Sequence, residues 1–335
     1  MKSALLLVSC AVILSACAQQ PSPQDCARAE VFCAGLVTDF GPITAGISHE
    51  AWLGLLDAKE GHSAERFDAI ETVDVRDRAA NIAALADDGY DVIVTVGAAM
   101  TDDTRAAALK YPKLAFIGVE QPQETNLPNL AGLVFHEERS GFLVGVLAAR
   151  MTQTGHIAAV CDARFIDPIR RYCDGFQAGA RYVTPRINAT VDYREGSTEA
   201  LFNDPEWGRD TAFKEVNAGA DVLFAAGGNT ATAALQAAAS NGIFVIGSET
   251  DLYPDLPGIR PLLLTSATND IRSGVLELLR MARRKALPSG DYIGDAKLAP
   301  WHALDRRIPT DVKQELQKIN LDLGVLTQDI PYKNP

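Results

Sequence analysis

Five short stretches of this chain end an apolar run on groups that form hydrogen bonds: VTDFG (37–41), TVGAAMTDD (95–103), AVCDARF (159–165), FAAGGNT (224–230) and VIGSETD (245–251). Among them, Asp39, Asp102 and Glu249 supply carboxylates, which serve either acid–base catalysis or the recognition of a bound molecule's hydroxyls. Gly227 and Gly228 leave bare backbone that a ligand can approach closely. Any one stretch reads as an ordinary strand-to-helix turn, in which Asp102 needs no role beyond capping a helix N-terminus. Taken together they describe two facing rims of a cleft. Other chemistries lack their residues. The histidines His49, His62, His136, His156 and His302 include no H-E-x-x-H pair, and the chain has no C-x-x-C. GGNTATA lacks the lysine of a phosphate-binding loop, and neither G-x-S-x-G nor G-x-G-x-x-G occurs. The expectation is therefore hydroxyl recognition rather than turnover, with no catalytic residue, metal or cofactor.

The elements that must hold these turns follow a simple alternation. VFCAGLVTD, RFDAIETV, DVIVTVG, KLAFIGV and NLAGLVF read as strands separated by helical patterns such as VRDRAANIAALADDG and the segment Thr101–Lys110. The pattern repeats with HIAAVCD, INATVDYREG, DVLFAAGG and GIFVIGSE, separated by helices such as DPIRRYCDGFQAGARYV. Strands and helices at this spacing predict β-α-β units, hence an α/β protein of two doubly wound parallel-sheet lobes. In such sheets ligands bind outside the carboxyl ends of the strands, where the five turns fall. The chain has 335 residues, 47% of them hydrophobic, and a net charge of −12, enough for two cores. That acidity argues against nucleic acid or an anionic lipid surface as a partner.

The N-terminus is different. A cationic start and a short apolar run precede Leu14-Ser15-Ala16-Cys17, which resembles the lipobox of bacterial lipoproteins. The resemblance implies a signal peptide over 1–16, cleavage before Cys17 and acylation of its thiol, so that residues 17–30 form a lipidated tether at the cell envelope. Two or more acyl chains suffice for stable anchoring. Four cysteines remain beyond it, with Cys26–Cys33 and Cys161–Cys173 the preferred pairs of three connectivities because each closes a short loop.

Longer stretches carry a second resemblance. GLVTDFG, ANIAALADDGYDVIVTVGAAMTDDT, NLAGLVFHEERSGFLVGVLAA, TGHIAAVCDARFIDPIRRYCDGFQAGARYVTP, FNDPEWGRD, NAGADVLFAAGG and VIGSETD resemble, in order, landmarks of the basic membrane protein family. The best-known members of that family are purine nucleoside receptor lipoproteins of ABC transporters. The resemblance implies a type I periplasmic-binding-protein fold with three hinge crossings, with 31–152 and 268–287 in lobe 1 and 153–267 and 288–335 in lobe 2. It implies a monomer that takes a small-molecule solute to an ABC permease and ATPase.

The resemblance also suggests site roles. Phe202 matches a ring that stacks on the base, Asp102 an acid that reads the base edge, and Glu249 an acid on the ribose, while Asp39, Gly227 and Gly228 line the same cleft. Two positions depart from the family pattern. Ile47 stands where the other stacking Phe is expected, with Ser48 after it, which leaves Phe40 as a substitute ring. Asn269 stands where a ribose-binding Lys is expected, so no cation pairs with Glu249. Loss of one stacking ring and one charge-assisted bond, each worth about 1–3 kcal/mol, leaves a nucleoside or nucleoside-like heterocycle as the expected solute. The alternatives are a flavin or, for a fold that has lost its pocket, an interaction partner. The stretch LPSGDYIGDAKLAPWHALDRRIP is poorly periodic and reads as an insertion.

Overall fold

A computed structural model describes residues 21–59, 65–196 and 198–325. The expected signal peptide, over residues 1–16, and Cys17 lie outside the described residues. The chain opens with β1 (Phe32–Thr38), α1 (Gly46–Asp57), β2 (Glu65–Ile70), α2 (Arg78–Asp87), β3 (Val92–Val96), α3 (Thr101–Lys110), β4 (Ala115–Val119) and β5 (Leu130–Phe135). It continues through α4 (Glu137–Met151), β6 (His156–Cys161), α5 (Asp167–Val183), β7 (Asn188–Tyr193), α6 (Pro205–Asn217), β8 (Val222–Ala226) and α7 (Gly228–Ser240). The remainder is β9 (Phe244–Glu249), α8 (Leu252–Asp255), β10 (Leu263–Asn269), α9 (Ile271–Arg283), β11 (Gly290–Gly294), β12 (Ala296–Leu298) and α10 (Thr310–Val325).

Two six-stranded sheets result, ordered β11-β5-β4-β3-β1-β2 and β12-β10-β9-β8-β6-β7. All pairings are parallel except that of β12 with β10. The central strands are almost wholly apolar because helices cover both their faces, and each sheet accordingly has a core cluster on either side. Strand order reverses between β1 and β3 and between β6 and β8, so both topological switch points open at the strand ends carrying Asp39 and Asp162.

The two-lobe, doubly wound architecture expected from the alternation is present, and its boundaries differ from the expected ones in three places. Helix α4 was expected to stay with lobe 1. It instead packs on α5, with Phe142 to Ala148 inside the second lobe's core, so the first crossing lies between Phe135 and Glu137. Strand β11 was expected in lobe 2 but pairs with β5, and the chain crosses last between Gly294 and Ala296. The stretch read as an insertion is thus the third connection between the lobes. The middle crossing lies between Asn269 and Ile271, since β10 completes the second sheet and α9 packs on α1 in the first.

The tether is also shorter than expected. The Cys26–Cys33 disulfide and a hydrogen bond from Arg66 Nη1 to the Pro21 carbonyl (2.7 Å) tie residues from Pro21 onward to lobe 1. The second disulfide, Cys161–Cys173, joins the end of β6 to α5. Both pairs are those preferred from spacing.

Candidate functional site

On the lobe 1 rim, Asp39 follows β1, forms an ion pair with Arg78, and lies against Gly97, which has φ +110° and no room for a Cβ beside it. Burial holds the Asp39 carboxyl above the usual range, Arg78 opposes this, and the charge of Asp103 adds to it. Asp102 is not the acid that faces Asp39. Its side chain is 90% exposed and paired with Arg105 at 2.9 Å, because the helical turn that begins α3 directs positions 102 and 103 differently. Phe40 is 58% exposed. Ile47 packs against the lobe 1 core, and Ser48 is buried in α1. The structure therefore gives Ile47 a packing role, and of the two only the Phe40 ring is free to meet a ligand.

The lobe 2 rim is built around strained backbone. Phe202 and Glu249 have φ of 60° and 71°, and in lobe 1 Glu120, just after β4, has 60°. Non-glycine residues in this region cost energy and cluster at functional sites. Phe202 lies on the lobe 2 core, and its carbonyl accepts from Asn229 N at 2.8 Å. The space that Gly227 and Gly228 leave is filled by protein. A Cβ at Gly227 would collide with Asp162, and one at Gly228 would lie 2.9 Å from Phe202 Cβ. The expected flat floor for a ligand is thus a floor for Asp162 and Phe202. Asp162 is fully buried and held by Thr230 Oγ1 at 2.7 Å and by Arg194 at 3.4 Å.

Where the two rims meet the crossings, Asn269 comes together with residues that the sequence reading did not single out. Asn269 ends β10 and donates from Nδ2 to Glu120 Oε1 at 3.2 Å, linking lobe 2 to lobe 1. Glu137 begins α4, with the Arg171 guanidinium 3.5 Å away. Tyr172, next along α5, is fully buried, and its hydroxyl lies beside the Glu249 main chain without a hydrogen bond of normal geometry.

Burial raises the Glu120 carboxyl to about 7, with Asn269 opposing. Burial, then the charge of Glu120, raises Glu137 to about 8. Glu249 is likewise raised to about 8 by burial and by the charges of Glu120 and Asp162. The Tyr172 hydroxyl is pushed well above its ordinary value by burial and by the same three glutamates. The only sign of Glu120 in the sequence was that it ends a strand, as Asp39 and Glu249 nearly do; Glu137 lay in FHEERS, read there only for metal spacing. The described residues contain no group of His, Cys, Asp and Glu able to hold a metal ion. A groove of about 340 Å³ runs along α9 and β11, away from all these residues except the adjoining crossings.

Comparison with known proteins identifies the family and the fold. Residues 34–294 match the Bmp family model, described as ABC transporter substrate-binding protein PnrA-like. Basic membrane protein A2 of Borrelia garinii subsp. bavariensis is 28% identical over 260 residues, 74% of this chain and 73% of that protein. Basic membrane protein A of Borreliella burgdorferi is 30% identical over 197 residues, 56% of this chain and 54% of that protein. Among solved structures, an ABC transporter system solute-binding protein from Aeropyrum pernix K1 superposes with a TM-score of 0.71 at 19% identity, covering 87% of this chain and 91% of that one. One from Conexibacter woesei DSM 14684 gives 0.69 at 16% identity, covering 90% and 99%. Both share the two-lobed fold.

Proposed function

Because the chain belongs to the Bmp family of PnrA-like ABC transporter substrate-binding proteins, a solute-binding rather than a catalytic family, we propose that it is the lipid-anchored receptor of an importer and clamps a nucleoside or nucleoside-like heterocycle between its lobes. One observation carries the reading. Glu249, Glu120 and Asn269 come from both sheets and stand together at strand ends beside the crossings, and Phe202 lies against Gly228 at the end of β8 on the same lobe 2 rim. Phe202 offers a ring for stacking, worth about 1–3 kcal/mol on a base. Phe40, exposed on the lobe 1 rim, would supply a second ring if the lobes close. Glu249, Asn269 and Asp39 offer hydrogen bonds to hydroxyls and ring edges.

Equilibrium dialysis of the purified chain against nucleosides, free bases and flavins tests the solute. Binding of a purine nucleoside supports the reading. Retention of a flavin with no purine compound bound would replace it with the flavin alternative. The anchor has its own test. Changing Cys17→Ser is expected to move the protein from the membrane fraction to the soluble fraction, and a variant still pelleting with membranes would remove the lipid from the proposal. No helix among the described residues is long and apolar enough to cross a membrane.

A further inference from the structure

The base of the cleft is rich in acceptors and short of donors. The charge of Glu120 acts on both Glu137 and Glu249. The donors near them are few. Asn269 Nδ2 is spent on Glu120 Oε1 at 3.2 Å. Arg171 Nη1 stands 3.5 Å from Glu137 and also donates to the Phe135 carbonyl at 3.2 Å. His136 is engaged with Glu138 at 2.8 Å, and Arg194 with Asp162. No salt bridge to Glu120 or Glu249 is present among the described residues.

A further polar atom in the cluster lacks a donor. Asn269, 4% exposed, has its Oδ1 buried without a donor although its Nδ2 is bonded inside the cluster. The Tyr172 hydroxyl, fully buried among the same glutamates, lies beside the Glu249 main chain and offers no donor to Asn269 Oδ1. A buried acceptor left without a donor is costly, as are unpaired like charges. An N–H-bearing cation satisfies both needs.

We propose that this floor is a cation subsite, where the solute seats an ammonium or guanidinium group on Glu120 and Glu249 with Asn269 Oδ1 as a further acceptor. The proposal rests on the interlobe cleft being the solute site. It takes an organic cation rather than a metal ion, because the carboxylates do not converge as metal ligands do. Glu249, half-buried at the rim, is the entry, while Glu120 and Glu137, 7% and 1% exposed, lie beneath. Without a solute, burial makes both carboxyls hold their protons to higher pH than an exposed carboxylate does. Cation binding therefore releases protons and strengthens as pH rises.

Calorimetric titration of the purified chain with adenosine, 5′-amino-5′-deoxyadenosine and agmatine, at about pH 6 and about pH 8, is the test. The aminonucleoside is expected to bind at least about tenfold more tightly than adenosine, with agmatine affinity rising at least about tenfold between the two pH values. Glu249→Gln, and separately Asn269→Lys, which puts a cation into the cluster, should abolish that preference while a cooperative melt shows each variant folded. Adenosine binding as well as its amino analogue, or cation affinity flat or falling with pH, overturns the proposal and leaves the receptor reading in place. Agmatine binding without adenosine supports the subsite and removes the nucleoside. If none of the three binds, the subsite proposal fails, and the dialysis panel of nucleosides, bases and flavins decides the receptor reading separately.

Discussion

The chemistry of single residues at this site is governed by desolvation more than by partners. Glu120, Glu137 and Glu249 rise from 4.5 in an unstructured chain to about 7, about 8 and about 8 because burial disfavours their charged form. Between those limits the folded chain binds more protons than the unfolded one. Their contribution to stability is therefore fully present below the unfolded value and is lost as pH rises through 7 to 8. The melting temperature of the solute-free protein is expected to fall between about pH 6 and about pH 9, with Glu249→Gln making the fall shallower. An unchanged slope in that variant would mean that Glu249 is already ionised in the folded protein. The same residue-scale view separates Asp102 from the buried carboxylates. Its type suited a ligand acid, but its position on α3 hands it to Arg105 and solvent.

At the scale of elements, the site depends on the close contact of α4 with α5. Gly141 and Gly145 on α4, and Gly175 and Gly179 on α5, repeat every fourth residue and meet face to face. A Cβ on any of them would strike the partner helix's backbone, at Tyr172, Phe176, Glu138 and Phe142 respectively. The missing side chains let the axes approach, and this seats Glu137 at the start of α4 near Arg171 and Tyr172 on α5. Gly145→Ala is expected to cost about 1–3 kcal/mol by overpacking. Chemical denaturation will measure the loss, and an unaltered midpoint would show that the helices part without penalty. The two G-x-x-x-G spacings were visible in the sequence. What they could not say was which helices they joined, and α4 was accordingly expected to remain with lobe 1.

For the whole molecule, three single-pass crossings at 135–137, 269–271 and 294–296 form the hinge. Glu137 and Asn269 stand beside two of them, and Glu120 reaches Asn269 from the other lobe. A solute that bridges Glu120 and Glu249 would favour the closed arrangement by the difference in its contacts between the two arrangements. Small-angle scattering is expected to show a smaller radius of gyration once a bound solute saturates the chain. Tight binding with no compaction would argue that the lobes do not close on it.

Alternating apolar runs and helical periods determined the element order, the two parallel sheets and the strand-end location of the polar turns, because burial on both faces of a strand and one face of a helix is written locally. Close spacing likewise indicated the pairs Cys26–Cys33 and Cys161–Cys173. Only the tertiary structure assigned α4 to lobe 2 and β11 to lobe 1, since a helix or edge strand near a crossing can serve either sheet and its local pattern is the same for both. It alone brought Glu120, Glu137, Tyr172 and Asn269 together. Their shared burial, and the carboxyl shifts that follow from it, arise from contacts between segments as much as 149 residues apart, and no local pattern encodes such a distance.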